Sequence, residues 1–267
     1  MKSKAKRIVF IADLHCGHKF GLTPPGWWAI EEGEDDRLQK HRKFQRALWE
    51  FYSGEIEALK PIDILVVNGD AIDGKGEGTG GMELITTDRH EQIRMAAAAI
   101  DIAEAKSVRI IYGTKYHSGK DEDFEGLLCD LTSCDDTKVS GHLFLDVNGC
   151  VFDIKHKVGR STIPHGRLTP LIRASVWNVI WNALGRQPKA RFLVRSHVHY
   201  YESWKNSYWE GVITPALQYN SAFGIRECEG TVDIGFIYFD VAEDGVCFGH
   251  HAKLADFGSL AVLAEKL

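Results

Sequence analysis

Three short apolar runs, at 7–12, 62–67 and 108–112, divide the first part of the chain, and the two stretches between them carry helical periodicity. From about 37 to 59 the apolar positions Phe44, Ala47, Leu48, Phe51, Tyr52, Ile56 and Leu59 step mostly by three and four, which puts them on one face of a helix. Asp36 stands where an N-cap belongs, and Pro61 stops the helix. A second helix is predicted from about 88 to 106. The order β-α-β-α-β predicts a parallel sheet flanked by helices. Farther on, the chain predicts a helix at 124–131 and a hairpin of 143–147 with 150–155 about Asn148-Gly149. A helix at 168–184 follows, with Leu171, Ala174, Ser175, Asn178 and Trp181 among its spaced positions. The strand at 191–195 comes next, and 231–241 and 246–250 read as strands joined by the Glu243-Asp244-Gly245 turn. With no internal repeat or low-complexity linker, the whole of 1–267 reads as one domain with two sheets, carrying an inserted loop at about 16–36.

Composition narrows the class. Lys plus Arg number 32 against 37 Asp plus Glu, a net charge of -5, whereas a coating or architectural nucleic-acid binder is normally basic. No apolar run approaches the ~20 residues needed to cross a bilayer, and no membrane partner is expected. The basic start of the chain leads into an apolar stretch too short for a signal peptide and better read as a buried first strand. The six cysteines form no C-x-x-C pair, which argues against a redox motif or a zinc ribbon and for a reducing, cytoplasmic setting. The oligomeric state is left open.

Chemistry concentrates where predicted strands end. Asp13-Leu14-His15 closes the first strand, Gly69-Asp70-Ala71-Ile72-Asp73 follows the second, His156 ends a later one, and His197-Val198-His199 follows another. In extended chain the i and i+2 side chains face the same way, so each Asp/His or His/His pair can converge on one point. Any one of these residues has an ordinary structural explanation, as a turn former or a satisfied imidazole. Together, two carboxylates and four imidazoles sit where α/β folds place their sites. Mixed nitrogen and oxygen donors suit Zn, Mn or Fe and are too nitrogen-rich for Ca. Six donors exceed one tetrahedral site, which points to two divalent ions sharing a carboxylate.

The order D-x-H, G-D-x-x-D, a His-bearing loop, a lone His and H-x-H, running from Asp13 to His199, resembles that of the calcineurin-like metallophosphoesterases. The resemblance implies an α/β fold, a four-layer αββα sandwich of two mixed β-sheets flanked by helices. It also implies hydrolysis of phosphate esters, phosphodiesters before monoesters, with nucleotides or nucleic acid among the candidate substrates and a nuclease among the candidate enzymes. By position, Asp13, His15 and His199 would hold one ion, Asp70 would bridge, and His156 and His197 would hold the second. Asp73 would support a ligand from behind, and His117 would face the leaving group as the catalytic histidine. The ions would be Mn, Fe or Zn, with Mn the choice in vitro.

The third motif departs from the family pattern. Gly-Asn-His-Asp/Glu reads here Gly113-Thr114-Lys115-Tyr116-His117-Ser118, so the usual Asn is replaced by Tyr116 if the His is aligned, or by Thr114 if the Gly is. No acid follows directly, although Asp121, Glu122 and Asp123 are near. This departure also fits a protein of another class, a catalytically weak or inactive relative used as a scaffold for protein binding. Among weaker signals, Arg160 is the candidate for gripping a substrate phosphate as a bidentate fork, against an ordinary solvated loop. Trp27 and Trp28 suit either base stacking or packing of the inserted loop onto the body. The glycine-rich 74–81 contains G-x-G-x-x-G, but no helix opens behind it and it reads as a loop.

Overall fold

The computed structural model describes residues 5–28, 36–118, 123–161, 163–219 and 231–257. The apolar runs form β1 (Lys6–Ile11), β2 (Ile64–Asn68) and β3 (Ser107–Ile111), joined in parallel and extended by β4 (Thr137–Ser140). On the other side of β1 lie β10 (Gly235–Val241) and β11 (His250–Leu254), both in antiparallel pairs, so the first sheet runs β11-β10-β1-β2-β3-β4. The second sheet holds β5 (Leu143–Val147), β6 (Cys150–Lys157), β7 (Phe192–Ser196), β8 (Glu202–Lys205) and β9 (Glu210–Ile213) in the order β5-β6-β7-β9-β8.

Each layer follows from which side chains must leave water. Ile8, Phe10 and Val66 of the first sheet meet Phe152, Ile154, Phe192 and Val194 of the second, forming the core between the sheets. The alternate positions Val9, Ile11, Leu65 and Val67 point the other way, toward α1 (Asp36–Leu59), α2 (Arg89–Asp101) and, after the single turn α3 (Lys115–Ser118), α4 (Phe124–Leu131). Phe44, Leu48, Tyr52, Ile56 and Leu59 supply the buried stripe of α1. On the outer face of the second sheet, Leu193 and Ile213 pack with Leu171 of α5 (Thr169–Ala183). The result is the four-layer αββα sandwich. Among the described residues, no helix is long and apolar enough to cross a membrane.

Differences from the sequence expectations have local causes. Asp88 caps α2 by accepting from the His90 amide at 2.9 Å, but the helix ends at Asp101, since Glu104 turns left-handed at φ 46°. The strand expected at 246–250 is instead His250–Leu254. Gly249 at φ +129° lies where L side chains rarely go, and Phe248 before it is exposed. The Gly245 turn itself is present, its amide bonded to the Ala242 carbonyl. Asn148-Gly149 makes its hairpin turn with φ 54° and 85°. Strands β4, β8 and β9 carried too little apolar pattern to be read.

One buried charge group ties the second sheet together. Asp153 on β6 pairs with Arg195 of β7 at 2.9 Å and with His142 at 2.8 Å, and is almost fully buried. Burial opposes its ionisation, but His142 and Arg195 outweigh burial and hold the carboxyl below its ordinary value. A depressed folded pKa means that this contribution to stability is present above the unfolded value of ~3.9 and is lost as pH falls through the folded one. Asp153→Asn is expected to cost about 3–5 kcal/mol, because Arg195 keeps its charge without a counter-charge. It should also flatten the acid limb of the stability profile, as read by denaturant melts across pH. An unchanged acid limb would assign that limb to other carboxylates.

Candidate metal centre

The candidate donors stand at the carboxyl ends of strands from both sheets. β1 leads to Asp13 and His15, β2 to Asp70, β6 carries His156, and β7 leads to His197 and His199. The two D-x-H and H-x-H pairs are not in extended chain as their spacing suggested. Asp13 (φ 50°), His15 (φ 45°), Asp70 (φ 48°), His197 (φ 81°) and His199 (φ 59°) all take left-handed backbone. These are five of the seven described non-glycine residues with positive φ. Each such residue costs on the order of 1–2 kcal/mol, so the surrounding structure over-determines these turns and aims the side chains inward. His156 is aimed by another device, a register irregularity between β6 and β7 at Ile154–Lys157.

The result is two groups of donors. In the first, Asp13 Oδ1 lies 3.3 Å from His199 Nε2 and 4.0 Å from His15 Nε2, and the two imidazole nitrogens are 3.3 Å apart. In the second, Asp70 Oδ2 lies 3.0 Å from His156 Nε2 and 3.9 Å from His197 Nδ1. Within each group the donor atoms lie within 4.8 Å of one another, as they do in a third set formed by His15, Asp70 and His117. Asp70 therefore stands between the groups.

The neighbours of these residues fix their orientation. His15 Nδ1 donates to Asp73 Oδ1 at 2.9 Å and His156 Nδ1 donates to the Asn68 carbonyl at 2.7 Å, which turns each Nε2 into the site. Asp13 Oδ2 accepts the His197 amide at 3.1 Å, whereas Oδ1 is buried and makes no hydrogen bond. A buried carboxylate oxygen facing two imidazole nitrogens is the donor set that a divalent transition ion fits. Burial disfavours the charge on Asp13 and Asp70, yet the imidazoles around them outweigh it and hold both below the ordinary carboxylate range. Asp73 is lowered to about 2, since His15 beside it outweighs burial. Burial, with His117 nearby, lowers His15 to about 4 and keeps it neutral. For His156 burial acts downward, but Asp70 and Asp13 overcome it and raise the ring to about 9.

The altered third motif resolves in favour of Thr114. Its amide donates to Asp70 Oδ1 at 2.6 Å, and its hydroxyl lies 3.2 and 3.3 Å from the two carboxylate oxygens. Tyr116 is turned away and half exposed, its hydroxyl accepting the Gly78 amide at 2.8 Å. Next to it, His117 sits with its ring 4.5 Å from that of His15, and its Nδ1 donates to the Asp73 carbonyl at 2.8 Å. Asp121 and Glu122 lie outside the described residues. Arg160 is exposed and is not brought into the cluster by any described hydrogen bond, while Arg167 lies over the Tyr200 ring at 4.6 Å. Trp27 and Trp28 pack on the body, Trp27 donating to Glu91 and Trp28 lying under Arg46.

Three supporting residues escaped the sequence reading. Gln92 is fully buried and braces Gly74 with two 2.8 Å hydrogen bonds, holding the loop after Asp73. The available signal was a polar residue in phase with the buried Ala96 and Ala99 of α2. Glu125 accepts from the Gly113 amide and the Ser118 hydroxyl, clamping both ends of the His117 loop. Glu210 anchors His250, which in turn meets the Tyr201 hydroxyl just beyond His199.

Two mixed sheets flanked by helices are the architecture that the resemblance of the motif order implied. Solved structures similar to this chain include a novel archaeal phosphodiesterase, at 12% identity over 93% of this chain and 99% of its own, with a TM-score of 0.46. Another is Vacuolar Protein Sorting 29 from Cryptosporidium parvum, at 12% identity over 95% and 98%, TM-score 0.46. A predicted phosphoesterase from Streptococcus pneumoniae matches at 8% identity over 93% and 98%, TM-score 0.38. No family model and no curated protein matches the sequence.

Close backbone approach makes the cluster sensitive to one methyl group. A Cβ on Gly69 (φ +86°) would fall 2.3 Å from His156 Nδ1. Gly69→Ala is expected to lower stability by about 1–3 kcal/mol through the strained φ and to displace the His156 ring. Thermal melts and the Mn content of the purified variant check this, and a wild-type Mn content would mean that the ring keeps its place.

Proposed function

We propose that this chain is a metal-dependent phosphoesterase working through two divalent ions, of the Mn, Fe or Zn class, with phosphodiesters as the preferred substrates. The observation that carries the proposal is the pair of donor groups meeting at Asp70, with buried carboxylates already ionised and His15 already neutral. Asp13, His15 and His199 would hold one ion, His156 and His197 the other, and Asp70 both. Bound ions would supply neutralisation of the phosphoryl oxygens and a water acidified from 15.7 toward ~7. The carboxylates of the cluster take their hydrogen bonds and ion pairs from imidazoles, amides and Thr114 rather than from Lys or Arg. Such a cluster suits the single charge of a diester better than the double charge of a monoester.

His117 has the geometry of the proton donor. The Asp73 carbonyl holds the Nδ1 proton, so the ring would enter the step as the imidazolium, pass its Nε2 proton to the leaving alkoxide and remain as the neutral Nδ1–H ring. Its proximity to His15 and Asp70 also allows it to act as a ligand, and one variant separates the roles. His117→Ala is expected to slow hydrolysis of an aryl phosphodiester by ~10²–10⁴-fold with Mn content unchanged. Loss of metal together with activity would make His117 a ligand instead.

Where the resemblance would put an Asn ligand for the second donor group, this chain has Thr114, whose hydroxyl is bonded to Asp70. One ion is therefore expected to bind more weakly than the other. Thr114→Asn should tighten the weaker site in a calorimetric titration with Mn, and isotherms identical to wild type would remove Thr114 from the account. The same substitution pattern supports the second reading, a weakly active scaffold. Wild-type protein with no Mn uptake and no turnover would favour it.

A further inference from the structure

Helix α5 is built inside out. At 100° per residue, Leu171, Ser175, Asn178 and Asn182 share one face, while Val176, Trp177, Ile180, Trp181 and the C-cap Leu184 occupy the opposite one. The inner face packs on β7 and β9, yet two of its members are polar and almost fully buried, Ser175 and Asn178. Both are satisfied locally. Ser175 donates to the Ile172 carbonyl, and Asn178 bonds the Pro188 carbonyl and the Ala190 amide. The outer face is apolar, with Val176, Trp177, Val179, Ile180, Trp181 and Leu184 each 41% to 63% exposed. Trp181, expected from its spacing to point inward, points out. A surface helix ordinarily shows the reverse arrangement. The stripe exposes apolar surface on the order of 500 Å², near the top of what monomers leave uncovered.

We propose that a second copy of this chain covers this stripe, the two α5 helices packing antiparallel about a two-fold axis near Ile180. Charge narrows the choice of occupant. Between Arg173 and Arg186 the chain has no charged residue, so the stripe offers nothing to a polyanion or an acidic peptide. Arg173 and Arg186 flank it, so an anionic lipid surface is the rival occupant that the vesicle measurement below decides. The occupant must itself be apolar over the same length.

The stripe fits its own reverse. Val176, Ile180 and Leu184 form one i±4 ridge centred on Ile180, so a two-fold rotation sets Ile180 beside its counterpart and Val176 beside Leu184. The Trp177 and Trp181 flank meets the same flank of the other copy. Arg173, just before Val176, then reaches the C-terminal end of the opposing helix, where the helix dipole favours a cation but Arg186 of the other copy already stands. On the other flank, exposed Tyr208 and a cavity of about 300 Å³ walled by Val179, Leu193 and Trp209 continue the surface. They extend the contact toward the ~800 Å² per partner of a standard stable interface.

Sedimentation velocity of the full chain over a wide concentration range tests the proposal. The mass is expected to rise toward twice 29.9 kDa with concentration. Ile180→Glu and, separately, Trp181→Glu should each raise the dimer dissociation constant at least about 30-fold. Their circular dichroism melts and Mn binding should stay as in wild type, because both side chains are exposed. A wild-type mass that stays monomeric throughout overturns the proposal, and co-sedimentation of that monomer with phosphatidylglycerol vesicles would assign the stripe to a lipid surface. A dimer unweakened in both variants also overturns it, by placing the contact elsewhere. Should either variant fail to fold, the other variant and the wild-type concentration series still decide.

Discussion

The candidate site is arranged around keeping the buried Asp70 carboxylate ionised. A lone carboxylate there would face a desolvation penalty of several kcal/mol. The chain meets that cost with directed hydrogen bonds, the Thr114 amide on one oxygen and His156 on the other. Such contacts require backbone to come very close. Any Cβ at Gly113 would lie 2.2 Å from Asp70 Oδ1, and one at Gly69 would strike His156, so the two positions flanking the carboxylate have no room for a side chain. The left-handed turns at Asp13, His15, His197 and His199 are a second cost, carried by the rigid sheets beneath them. Strain concentrated at the mouth of an otherwise regular sandwich coincides with the candidate metal centre.

Much of this was legible beforehand, and the reasons are physical. A buried parallel strand needs a continuous apolar run, and β1, β2 and β3 had one. Polar residues set immediately after such runs have few ordinary reasons to be buried, which is why the Asp and His elements stood out. Their convergence was anticipated by an argument from extended chain that the structure does not follow. Left-handed backbone at Asp or His leaves no mark in a sequence. Thr114 could not be separated from Tyr116 by spacing alone, because the choice depends on which residue the Gly113 turn brings beside Asp70. Gln92 and Glu125 act through loops distant in the chain. Edge strands β4 and β8 bury too little to show a pattern, and β11 begins only after Gly249 rather than at Val246.

The apolar helix α5 shows a different limit of pattern reading. The spacing rule put Leu171, Ser175 and Asn178 in one set, and these are the buried residues of the helix, but it put Trp181 there too, and Trp181 is exposed. Here Ser175 and Asn178 point inward because the loop at 188–190 supplies partners for Asn178, a tertiary contact that propensity cannot foresee. The same rule, applied to α1, placed Phe44, Leu48 and Tyr52 correctly, since that helix covers a wide sheet and needs a continuous apolar stripe.

The donors are drawn from both sheets, Asp13, His15 and Asp70 from one, His156, His197 and His199 from the other. An ion bound among them is a rivet through the two halves of the sandwich, joining positions more than a hundred residues apart. Folding and loading are then linked by mass action, and a cation present at a hundred times its dissociation constant would stabilise the joined state by about 2.7 kcal/mol. The resistance of this chain to unfolding should accordingly track the free divalent ion around it, so that scarcity of metal is felt first as a loosening of one sheet from the other.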